Sequence, residues 1–149
     1  VKRLQSVPLL LALIMLSAPF SVGAGNSTTV GGFTVHCNAL TTSTLTPEVA
    51  KAYGIQRSKY RGILNVSVIK EKEGTMVTPV PGRVQVKTLA LAGQSSPLAM
   101  REIKEQGAVY YIGEFPIQNQ EKVDFAIEVT PEGTSETFIV NMEQQFFTD

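Results

Sequence analysis

The stretch Val123 to Val129, VDFAIEV, puts Val123, Phe125, Ile127 and Val129 on one parity and Asp124, Ala126 and Glu128 on the other. Successive side chains of an extended chain point to opposite faces, so this is a strand with one face in a core and one in water. The same alternation recurs on either side of it. Phe33, Val35, Cys37 and Ala39 oppose Thr34, His36 and Asn38, and Leu64, Val66 and Val68 oppose Asn65 and Ser67. Thr130-Pro131-Glu132-Gly133 turns the chain, and Phe138, Val140 and Met142 carry it back. Leu98, Met100 and Ile103 lead to Gln106-Gly107, after which Ala108 to Phe115 reads as an aromatic-rich return strand.

Between these runs the punctuation is equally specific. Pro79 and Pro81 exclude a central strand around Thr78 to Gly82 and predict an edge or a crossing between sheets. Val84 and Val86 share a parity that Leu89 and Leu91 break, which predicts a bulge near Thr88 or cover on both faces there. Lys70 to Gly74 is a charged, hairpin-like stretch, Thr41 to Leu45 a polar loop, and Gly25 to Thr29 a small, polar, frayed leader. One helix is predicted, from Pro47 to Tyr53. Thr46 caps it, proline occupies its first turn, Glu48 sits at the positive end of the dipole and Gly54 stops it. Val49 and Tyr53, one turn apart, are expected to face the core together. About seven strands and one short helix define an all-β, immunoglobulin-like antiparallel β-sandwich, with an open barrel as the alternative. The sandwich is favoured because alternating strands suit one face against a second sheet and one against water.

The chain has 149 residues, 13 basic and 13 acidic side chains, one cysteine and no tryptophan. Balanced charge without a basic block argues against a nucleic-acid partner, which would draw on clustered Lys and Arg. A charged fraction of only 17% with plentiful aliphatic residues argues against disorder. At the N-terminus, Lys2 and Arg3 precede the apolar run Val7 to Phe20 and the small residues of Ser21-Val22-Gly23-Ala24. This pattern predicts a signal peptide over residues 1–24, cleaved after Ala24. The run is broken by prolines and too short to span a bilayer, so no stable membrane insertion is expected after cleavage. The remaining domain, residues 25–149, carries 11 basic against 13 acidic side chains, a formal charge of −2. A lone cysteine permits no internal disulfide, and a cysteine-poor exported chain suits the bacterial periplasm.

The stretches FTVHCNALTTSTLTPEVAKAYGI (Phe33 to Ile55), RSKYRGILNVSV (Arg57 to Val68), MREIKEQGAVYYIGEFPI (Met100 to Ile117) and QQFFTD (Gln144 to Asp149) resemble a family of exported Gram-negative bacterial proteins catalogued as domain of unknown function 4426. The resemblance covers essentially the whole of residues 25–149. It implies a periplasmic, immunoglobulin-like domain and imports no activity. Cys37 and Tyr60 stand where the family resemblance leads one to expect Tyr and Asn, which speaks against Cys37 as a shared functional group.

The polar inventory carries no catalytic signature. His36 and Cys37, neighbours in a strand, project to opposite faces, whereas a metal needs three or four converging ligands. Ser67 and Lys70 match the Ser-x-x-Lys spacing of penicillin-recognising enzymes, but that chemistry needs a helix start and this stretch is strand. Glu102 and Glu105 are flanked by Arg101 and Lys104 and read as a solvated face. No cofactor is called for. The expected function is a non-catalytic binding or scaffolding module for an envelope component, its partner an envelope protein or an acidic ligand. The alternative is a small periplasmic hydrolase or metal-dependent enzyme assembled from distant residues. Lys51, Arg57, Lys59 and Arg61 place four positive charges within eleven residues, with Tyr53 and Tyr60 among them. Arg57, Lys59, Tyr60 and Arg61 are therefore the candidate contact residues, on a loop between Gly54 and the strand at Leu64. Of Tyr110 and Tyr111, adjacent in a strand, one should enter the core and the other face outward.

Overall fold

The computed structural model describes residues 26–70, 78–89, 93–105 and 107–149. The predicted signal peptide, residues 71–74 of the charged stretch and Leu91 lie outside the described residues. Two antiparallel sheets form the domain. One has the order β1-β2-β3-β8-β7, built from β1 (Asn26–Val30), β2 (Phe33–Thr41), β3 (Arg61–Lys70), β8 (Ala108–Pro116) and β7 (Arg101–Glu105), with the two-residue β4 (Thr78–Pro79) also paired to β3. The other has the order β10-β9-β5-β6, from β10 (Phe138–Gln145), β9 (Lys122–Pro131), β5 (Gly82–Leu89) and β6 (Ser95–Leu98). Setting β1 and β4 aside, these orders are A-B-E-D and G-F-C-C′ of the immunoglobulin fold. The seven expected strands are β2, β3, β5, β7, β8, β9 and β10.

The inward parity of each strand meets in a single layer. Phe125, Leu64, Ile127, Val35, Val66, Val68 and Val129 are essentially inaccessible to water. Phe115 stands edge-on to Phe125 at 5.2 Å and to Phe146 at 5.5 Å between centroids, which locks the C-terminal segment over the end of the core. Prolines mark where the chain changes sheet. After Pro79 the Val80 N–H makes a last bond to Val68 O of β3 at 2.9 Å, and after Pro81 the chain enters β5 in the opposite sheet, as expected of a proline-rich crossing. Pro97 sits in β6, an edge strand.

Three local expectations are corrected. Residues 26–30 form a strand, because Gly31 and Gly32, at φ 59° and 82°, make a two-residue turn that pairs Val30 with Phe33 and Asn26 with Cys37. Near Thr88 there is neither a bulge nor a second cover: β5 keeps unbroken register with β9 from Gly82 to Leu89, and Leu89 is exposed on the outer face. The chain from Thr41 to Leu45 is a 3-10 turn rather than a simple polar loop, and its Thr42 is fully buried.

Candidate functional site

On the outer face of the first sheet, β3 presents Arg61, Ile63, Asn65 and Ser67. The register sets Asn38 of β2 and Ile112 of β8 on either side of Asn65, with Leu40 and Glu114 beside Ile63. This face is not left to water. The segment from Thr42 to Ile55 arches over it, carrying the single described α-helix, α1 (Pro47–Ala52). Thr46 caps α1 by accepting from the Val49 N–H at 3.3 Å, with Pro47 in the first turn as predicted. Gly54, at φ 64°, closes the helix: the Ile55 N–H donates to Ala50 O at 2.8 Å and the Gly54 N–H to Lys51 O at 3.2 Å, the paired bonds of a Schellman ending. Beyond it, Thr42 Oγ1 accepts from the Ser58 N–H at 2.9 Å and lies within donating distance of the carbonyls of Gln56 and Ser58. A buried threonine thereby staples both ends of the arch together.

The helix orientation corrects the expectation for Val49, whereas Tyr53 packs in part against the cluster beneath the helix. Ala50, between them, is the buried helical residue; it packs with Ile55, Ile63 and Ile112 in a second, smaller cluster on the outer side of the sheet. Val49 is 38% exposed and Tyr53 half-buried. Both line a cavity of about 290 Å³ between arch and sheet. Its floor comes from four strands, including Asn38, Asn65, Tyr110 and Ile103, and Leu45 and Ile55 complete the roof. Tyr53 ties the roof to the edge strand β7 twice: its hydroxyl donates to Glu105 Oε1, and Arg101 donates to its backbone carbonyl. The bond to Glu105 holds the Tyr53 phenol above its ordinary range, with desolvation and the negative charge of Glu105 adding to it. Among the described residues, Glu105 is the only charged one in the lining.

Of the two adjacent tyrosines, Tyr111 enters the core, as one of the pair had to. Its hydroxyl bridges the sheets, accepting from the Gly82 N–H at 2.8 Å and donating to Glu102 Oε2 at 2.9 Å. Burial raises the Tyr111 pKa, and the Tyr111 bond lowers that of Glu102, helped by Lys104 at 3.1 Å. Tyr110 faces the other way but lies half-buried in the cavity floor rather than free at the surface.

The predicted contact segment is dispersed. Arg57 donates to Ser43 O at 3.1 Å. Lys59 Nζ sits 5.1 Å from the centroid of the Tyr60 ring, and Tyr60 is 56% exposed. Arg61 is not in the loop: β3 begins there, three residues before Leu64, and its guanidinium pairs with Glu114 at 3.3 Å. Cys37 is buried, which pushes its thiol up to about 12, so it stays protonated and unreactive near neutrality. His36 is exposed opposite Ser67, and neither enters the cavity. Among the described residues no three His, Cys, Asp or Glu side chains gather as a metal site. Of the cavity residues, Asn38 and Asn65 were visible in the sequence as outward-facing positions. What brings the lining together is the arch, whose path no periodicity encodes.

The fold and site thus define an all-β sandwich with a roofed apolar cavity on the outer face of its A-B-E-D sheet. The chain belongs to the family described as domain of unknown function DUF4426, which matches residues 27–149. It is similar to a DUF4426 family protein from Pseudomonas aeruginosa PAO1, solved by crystallography at 2.09 Å, at 32% identity and a TM-score of 0.70, covering 84% of this chain and 96% of that one. It also shares its fold with FetP of uropathogenic E. coli strain F11, at 11% identity and a TM-score of 0.59 over 83% of this chain and 94% of that one. No curated protein matches the chain in sequence. Among the described residues no helix is long and apolar enough to cross a membrane.

Proposed function

We propose that this protein is a periplasmic, non-catalytic binding module that takes its ligand in the cavity beneath α1. The observation that carries the reading is the cavity itself: an apolar hollow of about 290 Å³ with few polar groups, roofed by an arch whose ends Thr42 ties together and whose Tyr53 is bonded to Glu105. The Lys2-Arg3 and Val7 to Phe20 pattern supports export, and the neighbouring FetP was expressed in the periplasm of E. coli. A hydrolase reading finds no support in the lining, which among the described residues holds no histidine, serine, threonine or cysteine.

A photoreactive residue in place of Val49, in protein exported to a bacterial envelope, tests this. The expected result is an adduct that recurs across growth conditions and disappears when Ile112→Phe fills the cavity. An adduct indifferent to the filling, or no adduct together with turnover in a broad substrate screen, overturns it.

Exposed Tyr60, with Lys59 over its ring, supports a second contact at Arg57, Lys59, Tyr60 and Arg61 for an acidic group on an envelope partner. Lys59→Gln with Tyr60→Ala, which spares the Arg61–Glu114 pair, should abolish a salt-sensitive partner crosslink. Retention of that crosslink at low salt removes this surface.

A further inference from the structure

We infer that β10 pairs antiparallel, edge to edge, with β10 of a second copy of this chain, giving a symmetric dimer in which the two β10-β9-β5-β6 sheets run on as one. A sheet edge presents unpaired N–H and C=O groups, and monomeric proteins guard such edges with charge, proline or cover. The two flanks of this sandwich differ in that respect. On one, β7 carries Arg101, Glu102, Lys104 and Glu105, and β6 carries Pro97. On the other, β1 and β10 come together where the Gly31-Gly32 turn meets Phe138. Glu136 precedes the paired length there, and within the two strands the only charged side chain is Glu143, which Lys122 of β9 already holds at 3.1 Å.

β10 is eight residues long and has no proline. Its backbone phase is set by the Phe146 N–H, which donates to Glu121 O at 2.8 Å, so Lys122 and Gln145 are a pair whose own backbone groups point away from each other. By alternation the N–H and C=O groups of Ile139, Asn141, Glu143 and Gln145 are directed out of the sheet, where no further strand lies among the described residues. A foreign strand would meet those backbone groups equally well; the side chains select a second copy. Ile139, 65% exposed, and Phe147, 60% exposed just past the end of β10, are the most exposed large apolar residues among those described, and they stand at opposite ends of this edge on one parity. A two-fold axis at Met142 sets Ile139 opposite Gln145 of the partner subunit and Asn141 opposite Glu143 of the partner subunit, with about eight main-chain bonds between them. In that register each Phe147 becomes the diagonal neighbour of Ile139 of the partner subunit, so each end of the joint covers what a single chain leaves bare. An axis at Glu143 would instead set the two carboxylates face to face. None of the cavity lining lies on β10, so the dimer and the cavity reading are independent.

Sedimentation equilibrium of the protein exported to a bacterial envelope should show its mass double as concentration is raised. Ile139→Lys places a charge on the edge and should weaken association at least about tenfold. Asn141→Pro removes an N–H that points out of the sheet and costs β9 no bond, and should do the same. Both variants, diluted to monomer, should unfold in urea as the natural chain does. Cys37 is buried, so introduced thiols are the reactive ones. Ile139→Cys and Gln145→Cys, mixed and oxidised, should give a disulfide-linked dimer that neither gives alone, because like positions lie roughly 20 Å apart along the joint. A natural chain that stays monomeric up to about 0.5 mM overturns the dimer. A dimer undiminished in both Ile139→Lys and Asn141→Pro overturns this edge as its contact, and crosslinking of Ile139→Cys alone as readily as of the mixture overturns the antiparallel register. A monomer whose Ile139→Cys thiol couples instead to a different envelope protein overturns the second copy in favour of a foreign strand.

Discussion

The two apolar clusters of this domain are built from opposite faces of the same strands, and they are finished differently. On the inner face of β3, Leu64, Val66 and Val68 meet Phe125, Ile127 and Val129, all essentially inaccessible to water, and the Tyr111 hydroxyl that reaches into this layer is bonded on both sides. On the outer face, Ile63 packs with Ala50, Ile55 and Ile112, but the hollow beside them is unfilled and the Asn65 oxygen has no partner. Packing completeness separates the face that holds the fold from the face left able to accept something. Substitutions should therefore differ between the clusters in sign as well as in size.

The largest effect is expected in the inner layer. Phe125→Ala opens a cavity where the ring meets Phe115 edge-on, and should cost about 3–5 kcal/mol in urea unfolding. A loss below about 1 kcal/mol would mean that this layer is no better packed than the outer one. Cys37 gives the next effect, visible only in alkali. Its folded thiol is held at about 12 against an ordinary 9.0 because it is buried, so above pH 9 the unfolded chain releases a proton that the folded chain keeps. Stability is full below that point and should fall by about 1.4 kcal/mol per pH unit as the folded value is approached. Unfolding measured at a series of alkaline pH values should show this slope in the natural chain from about pH 9, and Cys37→Ala should remove its onset there and leave only the shallower fall above about 10 to which the raised Tyr53 and Tyr111 phenols contribute with the same sign. Smaller again is Tyr111→Phe, which leaves the Gly82 N–H without its acceptor and should cost about 1–2 kcal/mol. Because the same hydroxyl lowers the Glu102 pKa, that carboxyl should titrate at higher pH in the variant, a shift readable by NMR.

How far the sequence reaches follows the same division. The inner face was legible because alternation is a local signal: Val123 to Val129 and Leu64 to Val68 state which parity is buried without knowing what covers it. The ends of α1 were legible too, since Thr46-Pro47 and Gly54 act through their own backbone. What local pattern misstates is which surface the helix meets. Val49 and Tyr53 lie one turn apart and read as core residues, yet the arch is held by Thr42, whose bonds reach 14 and 16 residues along the chain, and it buries Ala50, leaves Val49 exposed and packs Tyr53 only in part against the same cluster. β1 escaped for a related reason. Asn26–Val30 is small and polar, and it becomes a strand because the Gly31-Gly32 turn lays it along β2. In the contact segment, the pattern of positive charge was legible, but not that Arg61 would begin β3 and be taken by Glu114 across the register.

The smallest and most discriminating effect is predicted at Asn65. In a well-packed interior, replacing a buried carboxamide by leucine leaves its former partners unsatisfied and destabilises the protein. Asn65 Oδ1 has no partner to abandon, and the space beside it is open, so Asn65→Leu exchanges an uncompensated polar group for apolar area that the hollow accommodates. The free protein should gain roughly 0.5–1 kcal/mol in urea unfolding. The direction matters more than the amount. A gain would mean that Asn65 is kept at a cost to the free protein, the opposite of what the inner layer shows. If Asn65→Leu is instead destabilising by 1 kcal/mol or more, the carboxamide has a structural role, the two faces do not differ in the way described, and the cavity loses its most specific feature.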